Sequence, residues 1–183
     1  MNHRTIARIG GIIWLVAIVA LFAPVAALWA IKLFAAVAGC APGPQPCRAL
    51  PLGPWFKASL DAALALDDPA TVPLAFLLLL CGAGIAAGSV WRAVAGAVAP
   101  LVALILGVIG ALSTTFPGCH VSEAGGEGCM LWGADLNHDF GLAGVMPWLL
   151  FLAVPATAIG VAVGSVAASA MRRRYDTPPA KAA

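Results

Sequence analysis

The sequence predicts an all-α membrane protein: a bundle of four transmembrane helices, with both termini in the cytoplasm and a short amphipathic helix in the first outer loop. Composition, four long apolar runs and the distribution of charge predict this fold class. Of the 183 residues, 62% are apolar and only 10% are charged, and the mean hydropathy is +0.97. Because soluble domains are about half apolar and about a quarter charged, a water-soluble fold would leave too much apolar surface exposed.

The four apolar runs have no charged residue near their centres, and they cover approximately residues 12–34, 72–90, 94–112 and 146–168. Each is close to or above the roughly 20 residues that a helix needs to cross a bilayer. Helix is the expected conformation, since backbone groups in lipid must be satisfied within their own segment or in a closed barrel. The alternation typical of barrel strands is missing. Residues 1–183 are therefore predicted to form a single membrane domain.

The charges predict the orientation of the four runs. Seven of the ten basic residues flank the runs on one side: Arg4, Arg8, Arg92, Arg172, Arg173, Arg174 and Lys181. Seven of the eight acids lie on the other side, together with the remaining basic residues: Asp61, Asp67, Asp68, Glu123, Glu127, Asp135, Asp139, Lys32, Arg48 and Lys57. The positive-inside rule then places both termini in the cytoplasm, together with the short turn that carries Arg92.

This orientation defines two outer loops, at about residues 36–71 and 113–144, and a cytoplasmic tail at residues 172–183. The expected location is a plasma membrane or a bacterial inner membrane, with a multi-pass chain. The lipid bilayer is one expected partner. No basic stripe with interleaved aromatic residues is present, so nucleic acid is not an expected partner.

Tryptophan positions agree with these boundaries. Trp14 and Trp91 fall at the predicted cytoplasmic boundary, whereas Trp29 and Trp148 fall at the outer one. Indole rings favour the headgroup region, with the apolar body in lipid and the N–H towards water. Lys32 lies at the outer end of the first run, where its aliphatic stem can reach the interface.

The start of the first run admits two other interpretations. Two arginines followed by an apolar stretch are typical of a secretory signal peptide, but the stretch is longer than an ordinary signal requires. The segment Val37-Ala38-Gly39-Cys40 also has the form of a lipoprotein cleavage box. Cleavage there would leave a lipid on Cys40 and only three spans. Lys32 interrupts the preceding apolar segment and argues against cleavage.

Small residues recur every four positions in the fourth run, and they indicate a packing face: Ala156, Gly160, Gly164 and Ala168. Shorter ladders occur in the third run at Ala103, Gly107 and Ala111, and in the second at Gly84 and Gly88. Small residues at this spacing let helix backbones approach closely within lipid. The expected neighbour is another helix of the bundle, another membrane subunit or a second copy of the chain.

The first outer loop is predicted to contain a helix. Gly53-Pro54 is a suitable start, because proline is favoured at the first helical position. Phe56, Leu60 and Leu64 are spaced by four and would form one apolar stripe; Lys57 and Asp61 would form an adjacent, oppositely charged pair. The helix is expected to lie on the outer membrane surface or to cap the bundle.

Four of the five cysteines lie in the predicted outer loops: Cys40, Cys47, Cys119 and Cys129. An even number on the oxidising side of a membrane favours two structural disulfides. Pairing within each loop is simplest, Cys40 with Cys47 and Cys119 with Cys129 around a Gly125-Gly126 turn. Two cross-loop pairings remain open. Cys81, in the second run, is expected to act as a small apolar packing residue.

The preferred functional hypothesis is a non-catalytic structural, accessory or assembly subunit of a membrane complex. No apolar run carries Asp, Glu, His or Arg at its centre, where such residues would mark ion paths or substrate sites. No nucleotide-binding or acyl-transfer motif is present. The sequence therefore assigns no catalytic residue and no cofactor.

A second hypothesis is a membrane thiol–disulfide oxidoreductase. Four spans, cytoplasmic ends and two external cysteine pairs resemble the layout of the DsbB and vitamin K epoxide reductase families. The resemblance implies disulfide exchange beside a quinone site. Those families use a Cys-x-x-Cys pair, whereas the spacings here are six residues between Cys40 and Cys47 and nine between Cys119 and Cys129. Arg48 and His120 are the neighbouring groups that would lower a thiol pKa.

A third hypothesis is metal-ion binding or transport at the outer surface. Oxygen ligands alternate as in the first, third and fifth positions of a calcium loop: Asp135, Asn137 and Asp139. The sixth and twelfth positions depart from that pattern, being Phe140 and Met146. His120 and His138 with a carboxylate are an alternative ligand set. The simplest interpretation is a polar loop or a cap for the fourth helix.

Overall fold

The computed structural model describes residues 3–47, 50–64, 71–122 and 125–176. Several charges used to orient the chain lie outside these described residues: Arg48, Asp67, Asp68, Glu123 and Lys181. The described chain is mainly helical, as the composition predicts. Its helices are α1 (His3–Val37), α2 (Leu52–Leu64), α3 (Thr71–Ala86), α4 (Val90–Leu112) and α5 (Asn137–Asp176). Its strands are β1 (His120–Ser122), β2 (Gly125–Glu127), β3 (Met130–Leu131) and β4 (Ala134–Asp135).

Three segments within the described helices are long and apolar enough to cross a membrane: Arg4–Val37, Val90–Leu112 and Leu150–Arg174. The helix α3 is apolar throughout but has 16 residues, which corresponds to a length of about 24 Å. That is shorter than the hydrocarbon core of about 30 Å. The structure thus supports a helical membrane protein with three candidate spans, while the fourth span stays a prediction.

The boundary between the second and third apolar runs differs from the prediction. Helix α3 ends at Ala86, and Val90 begins α4 rather than ending α3. Gly88 adopts a φ of 65°, and the Ser89 N–H donates to the Gly84 carbonyl at 3.2 Å. These features are those of a glycine-terminated helix end. Arg92 consequently lies in the first turn of α4, not in the connecting turn.

The described chain forms two compact units. Among the described residues, the first comprises 3–20, 73–101 and 153–176. Within it, α3 and α4 pack at backbone distance, since a β-carbon at Gly84 would lie 2.5 Å from the backbone nitrogen of Ala93. Such an approach is the expected use of small residues between helices in lipid.

Helix α1 joins the first unit in the same manner. A β-carbon at Gly10 would lie 3.0 Å from the carbonyl oxygen of Ala83 on α3. A β-carbon at Gly96 of α4 would lie 2.8 Å from the carbonyl carbon of Leu80 on α3. The side chain of Leu80 is fully buried. Glycine and alanine therefore set the spacing of three helices in this unit.

The second unit comprises Leu21–Val72 and Val102–Leu152. Its core is larger and richer in bulky side chains: Leu28, Leu52, Phe56, Leu60, Leu64, Leu131, Leu136 and Phe140. A β-carbon at Gly107 of α4 would lie 3.1 Å from Leu64 of α2. This glycine gives α2 its place beside α4, so the first-loop helix belongs to the packed core of the unit.

Two short antiparallel hairpins follow α4. Strands β1 and β2 pair with His120 opposite Glu127 and Ser122 opposite Gly125, and β3 pairs with β4. The prediction of a turn at Gly125-Gly126 is wrong, because both glycines belong to β2. Gly126 is required by packing, since a β-carbon there would lie 2.5 Å from the Asn137 carbonyl oxygen.

Candidate functional site

The two long connections fold together in the second unit. We call this assembly the loop module, defined as residues 38–47, 50–64, 113–122 and 125–140. It contains the four loop cysteines, the helix α2, both hairpins and the first turn of α5. Most of the polar residues singled out in the sequence lie here, and it is therefore the candidate functional site.

The cysteines of the loop module pair within each connection. Cys40 and Cys47 form one disulfide, with Cα atoms 5.7 Å apart, and Cys119 and Cys129 form the other, with Cα atoms 4.4 Å apart. Cys129 is fully buried, so the second bridge belongs to the core of the unit. Neither bridge joins the first connection to the second, and other contacts must hold the two together.

Trp132 supplies the first of those contacts. Its backbone N–H donates to the Gly43 carbonyl at 2.8 Å, and its indole N–H donates to the Ala41 carbonyl at 3.1 Å. Its ring meets Phe56 of α2 edge to face, with centroids 5.7 Å apart. The side chain is 4% exposed. Trp132 thus holds the Cys40–Cys47 loop and α2 against the second connection.

The backbone at Trp132 explains how the indole reaches this position. Trp132 and Gly133 have φ angles of 48° and 83°, and they link β3 directly to β4. Positive φ at both central residues defines the type I′ turn that suits a two-residue hairpin. Non-glycine residues seldom adopt this conformation. The sequence signal was the Gly133 that follows Trp132, but the role of Trp132 was not predicted.

Helix α2 presents its predicted apolar stripe to the second connection. Phe56, Leu60 and Leu64 are buried, as the four-residue spacing predicts. A β-carbon at Gly53 would lie 2.5 Å from the Trp132 carbonyl oxygen, so the start of α2 rests directly on the β3–β4 turn. Because the apolar stripe is used inside the unit, α2 caps the unit and does not present this stripe to lipid.

The polar stripe of α2 is used as well. The Lys57 ammonium lies 2.5 Å from the Asp139 carboxylate and 3.5 Å from the Asp61 carboxylate. Asp139 is 2% exposed, and Lys57 is its cationic partner. A buried carboxylate needs such a partner because transfer from water is costly. The ion pair therefore joins α2 to the first turn of α5.

These contacts shift two pKa values. Burial acts to lower the pKa of Lys57, but the hydrogen bond and charge of Asp139, followed by the charge of Asp61, raise it above its usual value. Burial, followed by the charge of Asp139, raises the pKa of Asp61, although Lys57 opposes that change. Asp61 is the weaker of the two partners of Lys57 by distance, and it is less buried than Asp139.

The predicted cation ligands contact protein groups. Asp135 accepts a hydrogen bond from the Asn137 N–H at 3.0 Å, and Asn137 accepts one from the Cys129 N–H at 2.7 Å. Asp139 is paired with Lys57. The described part of the chain contains no cluster of three or more His, Cys, Asp or Glu residues able to hold a metal. The geometry matches the alternative interpretation of the motif as a cap for α5.

A cleft of about 380 Å³ adjoins the Cys40–Cys47 disulfide. It is lined by Ala38, Gly39, Cys40, Ala41, Gln45, Pro46, Cys47 and Trp132. Both cysteines of this bridge are partly exposed, in contrast to the buried Cys129. The cleft gives this one disulfide a solvent-accessible environment.

The end of α4 is closed by polar side chains of the second unit. Lys32 of α1 donates to the Gly110 carbonyl at 3.2 Å and also bonds the Ser113 hydroxyl. Its ammonium lies 4.4 Å from the centroid of the Trp29 ring. Cations stabilise the carbonyl end of a helix. Lys32 therefore has a structural partner in addition to its predicted position at an interface.

The small-residue ladder of α5 lies in the first unit, where it faces α3 and α4. A β-carbon at Gly160 would lie 3.2 Å from Ala97 and 3.8 Å from the Cys81 sulfur. One at Gly164 would lie 3.4 Å from Ala93. Ala168 is fully buried, whereas Ala156 is partly exposed. The ladder thus packs against helices of the same chain.

Cys81 is buried in α3, and its thiol points to the Ala93 carbonyl at 3.6 Å. It is the free cysteine of this structure. A buried thiol among apolar neighbours is an inert packing residue. This position agrees with the packing role expected from the sequence.

The fold and the loop module together define a class: a helical membrane protein whose connecting loops are closed by two local disulfides and joined by an ion pair to a buried carboxylate. Comparison of the chain with protein-family models, with curated proteins and with solved structures finds no match. The functional argument accordingly rests on the residues and contacts described above.

Proposed function

We propose that the chain is a non-catalytic structural or assembly subunit of a membrane complex. The observation that carries the proposal is that an ion pair, a side-chain hydrogen bond and two disulfides join groups of the loop module to one another. Lys57 pairs with Asp139, Asn137 bonds Cys129, and the loop cysteines form disulfides. Because these contacts fix the loops relative to one another, the module can present a rigid surface to a partner.

The helices supply a surface on which a membrane partner can pack. On α5, several large apolar side chains are well exposed: Phe151, Leu152, Ile159, Val163 and Val166. Because the glycine ladder of the same helix is used within the chain, a partner helix would meet this aliphatic face. Lipid covers it in the isolated chain, and another subunit covers it in a complex.

The partner is tested by purifying the tagged chain in mild detergent and identifying co-purifying chains. We expect one membrane protein in fixed stoichiometry, retained in wild type and lost when Ile159 and Val163 are replaced by tryptophan. The matched control replaces Leu78 of α3, whose side chain is 63% exposed, with tryptophan. A chain that purifies alone from its native membrane would overturn the proposal, as would equal recovery of the partner with the tryptophan variant.

We further propose four spans with both termini in the cytoplasm, with α3 as the fourth and shortest span. The positive-inside distribution of Arg4, Arg8 and Arg92 supports this orientation. A cysteine introduced at Ser89, in the α3–α4 turn, should react with an impermeant maleimide only after the cytoplasmic face is opened. Tags on the two termini should report from the same compartment. Opposite compartments would leave α3 outside the membrane and rule out four spans.

Thiol–disulfide exchange is a second candidate, favoured by the cleft beside Cys40–Cys47. One thiolate of a partner dithiol would attack one sulfur and form a mixed disulfide. The second thiol of the partner would then attack that mixed disulfide, so that the partner leaves with a new disulfide and Cys40 and Cys47 both become thiols. A quinone-type acceptor would be needed to restore the bridge. Exchange should then be lost in Cys47→Ser and kept in Cys119→Ser, after folding of both is verified. Equal rates in wild type and Cys47→Ser would end this candidate.

A further inference from the structure

Three arginines of the first unit lie around one face of α1. Arg4, Arg8 and Gly11 are spaced by four and three residues, and such positions share a helix face. The side chain of Arg92 crosses to this face from α4, since a β-carbon at Gly11 would lie 2.7 Å from one of its guanidinium nitrogens. All three arginines are exposed.

A hydrogen bond to the backbone carbonyl of Arg92 fixes the position of this residue beside α1. The Trp14 indole N–H donates to the Arg92 carbonyl at 2.9 Å, which joins α1 to the first turn of α4. Gly11, one turn before Trp14 along α1, leaves room for the guanidinium. A larger side chain at Gly11 would displace the Arg92 guanidinium, because the atoms nearest to a β-carbon at Gly11 all belong to the Arg92 side chain.

The same face of α1 continues as an exposed aliphatic strip. Ile12, Leu15 and Val19 follow Arg8 at helical spacing, and their side chains are 63%, 58% and 60% exposed. Trp91, next to Arg92, is 83% exposed. Arginines followed along α1 by aliphatic side chains have the order of headgroup and acyl chain in a lipid leaflet.

We propose that Arg4, Arg8 and Arg92 bind the phosphate headgroup of an anionic phospholipid. Its acyl chains lie along Ile12 and Leu15. Guanidinium groups form paired hydrogen bonds to phosphate oxygens, and basic pockets between transmembrane helices are suited to anionic headgroups. Among the eight acidic residues, Asp176 alone belongs to the first unit, so the acids of the chain are concentrated elsewhere.

An anionic lipid is favoured over a zwitterionic one by charge. A phosphocholine headgroup carries its own cation, which three arginines would repel, whereas phosphatidylglycerol has a net negative charge. A basic residue that faces the anionic headgroup strengthens its binding by about fivefold. Arg8 and Arg92 should therefore each contribute a measurable part of the lipid preference.

The experiment uses the full chain in detergent micelles containing equal phosphatidylglycerol and phosphatidylcholine, with retained lipid measured by mass spectrometry. Wild type should retain phosphatidylglycerol preferentially, and Arg8→Gln or Arg92→Gln should lower that preference about fivefold each. Gly11→Leu should have a similar effect by displacing Arg92. Arg174→Gln, with the same loss of charge on α5, and Arg8→Lys should leave most of the preference.

Equal retention of the two lipids by wild type would overturn the proposal, as would a preference that survives both glutamine variants. Inorganic phosphate at tens of millimolar should not displace the lipid, since the acyl chains add to its binding. Displacement of the lipid by phosphate alone would show that the site binds a free anion, and it would overturn the proposal of a lipid site. Because this assay needs no partner subunit, its failure is separate from failure of the proposed function.

Discussion

At the scale of single residues, Lys57 illustrates how position decides the value of a charge. It contacts two carboxylates, but the environments of Asp139 and Asp61 differ. Asp139 is almost completely buried, whereas the Asp61 side chain is 44% exposed. Without Lys57, the Asp139 carboxylate would be a desolvated charge, whereas the Asp61 carboxylate would be a hydrated one. The two interactions should therefore differ in their contribution to stability.

Asp139→Asn should lower the free energy of unfolding of the second unit by about 1.5–3 kcal/mol, the range for a hydrogen bond to a charged group. Asp61→Asn is the matched control and should cost less than about 1 kcal/mol. Thermal unfolding in detergent, followed by tryptophan fluorescence, would measure both. Equal losses from the two variants would show that the burial of Asp139 is not the deciding factor.

Asp61 should also give stability a specific pH dependence. Its pKa is raised in the folded protein, so folding favours the protonated form. The resulting stabilisation is complete below the ordinary value of 3.8 and is lost as the pH rises through the folded pKa. Lys57, with a pKa raised above 10.5, changes only at alkaline pH, where its contribution is lost.

The measurement compares wild type with Asp61→Asn over roughly pH 4 to 6, a window set by the ordinary carboxyl pKa and its upward shift. The difference in unfolding free energy should move in favour of the variant as the pH rises. Asp135→Asn, at an exposed carboxylate of the same module, serves as a control. A constant difference across the window would contradict the raised pKa of Asp61.

At the scale of elements, the helices were predictable because apolar length and spacing determine them locally. The stripe of Phe56, Leu60 and Leu64 is buried as predicted. The hairpins were not predicted, because β1–β2 and β3–β4 are too short to show alternation. Their strands depend on distant contacts, such as Gly126 against the start of α5. The same limit explains why no role was predicted for Trp132.

Helix α3 offers a sharp test of backbone packing. A β-carbon at Gly84 would meet the backbone of Ala93 at 2.5 Å, whereas one at Gly82 would have nothing within 4 Å. Gly84→Ala should therefore destabilise the first unit by about 1–3 kcal/mol through overpacking. Gly82→Ala should be neutral or stabilising by up to about 1 kcal/mol, because alanine favours helix.

Thermal unfolding of the two alanine variants in the same detergent would compare them directly. They differ by two positions in one helix and have the same change in composition, so detergent effects cancel. A Gly84→Ala protein as stable as wild type would show that α3 and α4 do not approach at backbone distance.

The β3–β4 turn gives a second test at this scale. Trp132→Ala should lower the free energy of unfolding by about 3–5 kcal/mol, the usual range for a buried tryptophan. Trp132→Phe keeps an aromatic ring against Phe56 but removes the indole hydrogen bond to Ala41. This variant should therefore lose about 1 kcal/mol of unfolding free energy. Calorimetry should rank wild type, phenylalanine and alanine in that order. Trp55→Ala, at an exposed position on α2, should change stability little, and an equal loss there would contradict the role of Trp132.

At the scale of the whole chain, composition was sufficient to predict a helical membrane protein, because a water-soluble fold of this length cannot bury so many apolar side chains. The number of spans is harder to predict from the sequence. Helix α3 is shorter than an ordinary transmembrane helix, and its length also suits a helix buried within the protein. The orientation was predicted from the positive-inside rule, which is statistical. The fold alone does not show which side of the membrane is cytoplasmic. The orientation therefore needs a measurement on intact cells.

The two disulfides provide that measurement. If the loop module is outside the cell, an impermeant phosphine reductant added to intact cells should open the Cys40–Cys47 bridge, which adjoins a cleft and is partly exposed. The Cys119–Cys129 bridge should resist longer, because Cys129 is fully buried and the reagent can attack only the partly exposed Cys119 sulfur. Impermeant maleimide labelling, read by peptide mass spectrometry, would follow each pair over time. Labelling that requires lysis but no reductant would place the module in a reducing compartment and reverse the proposed orientation.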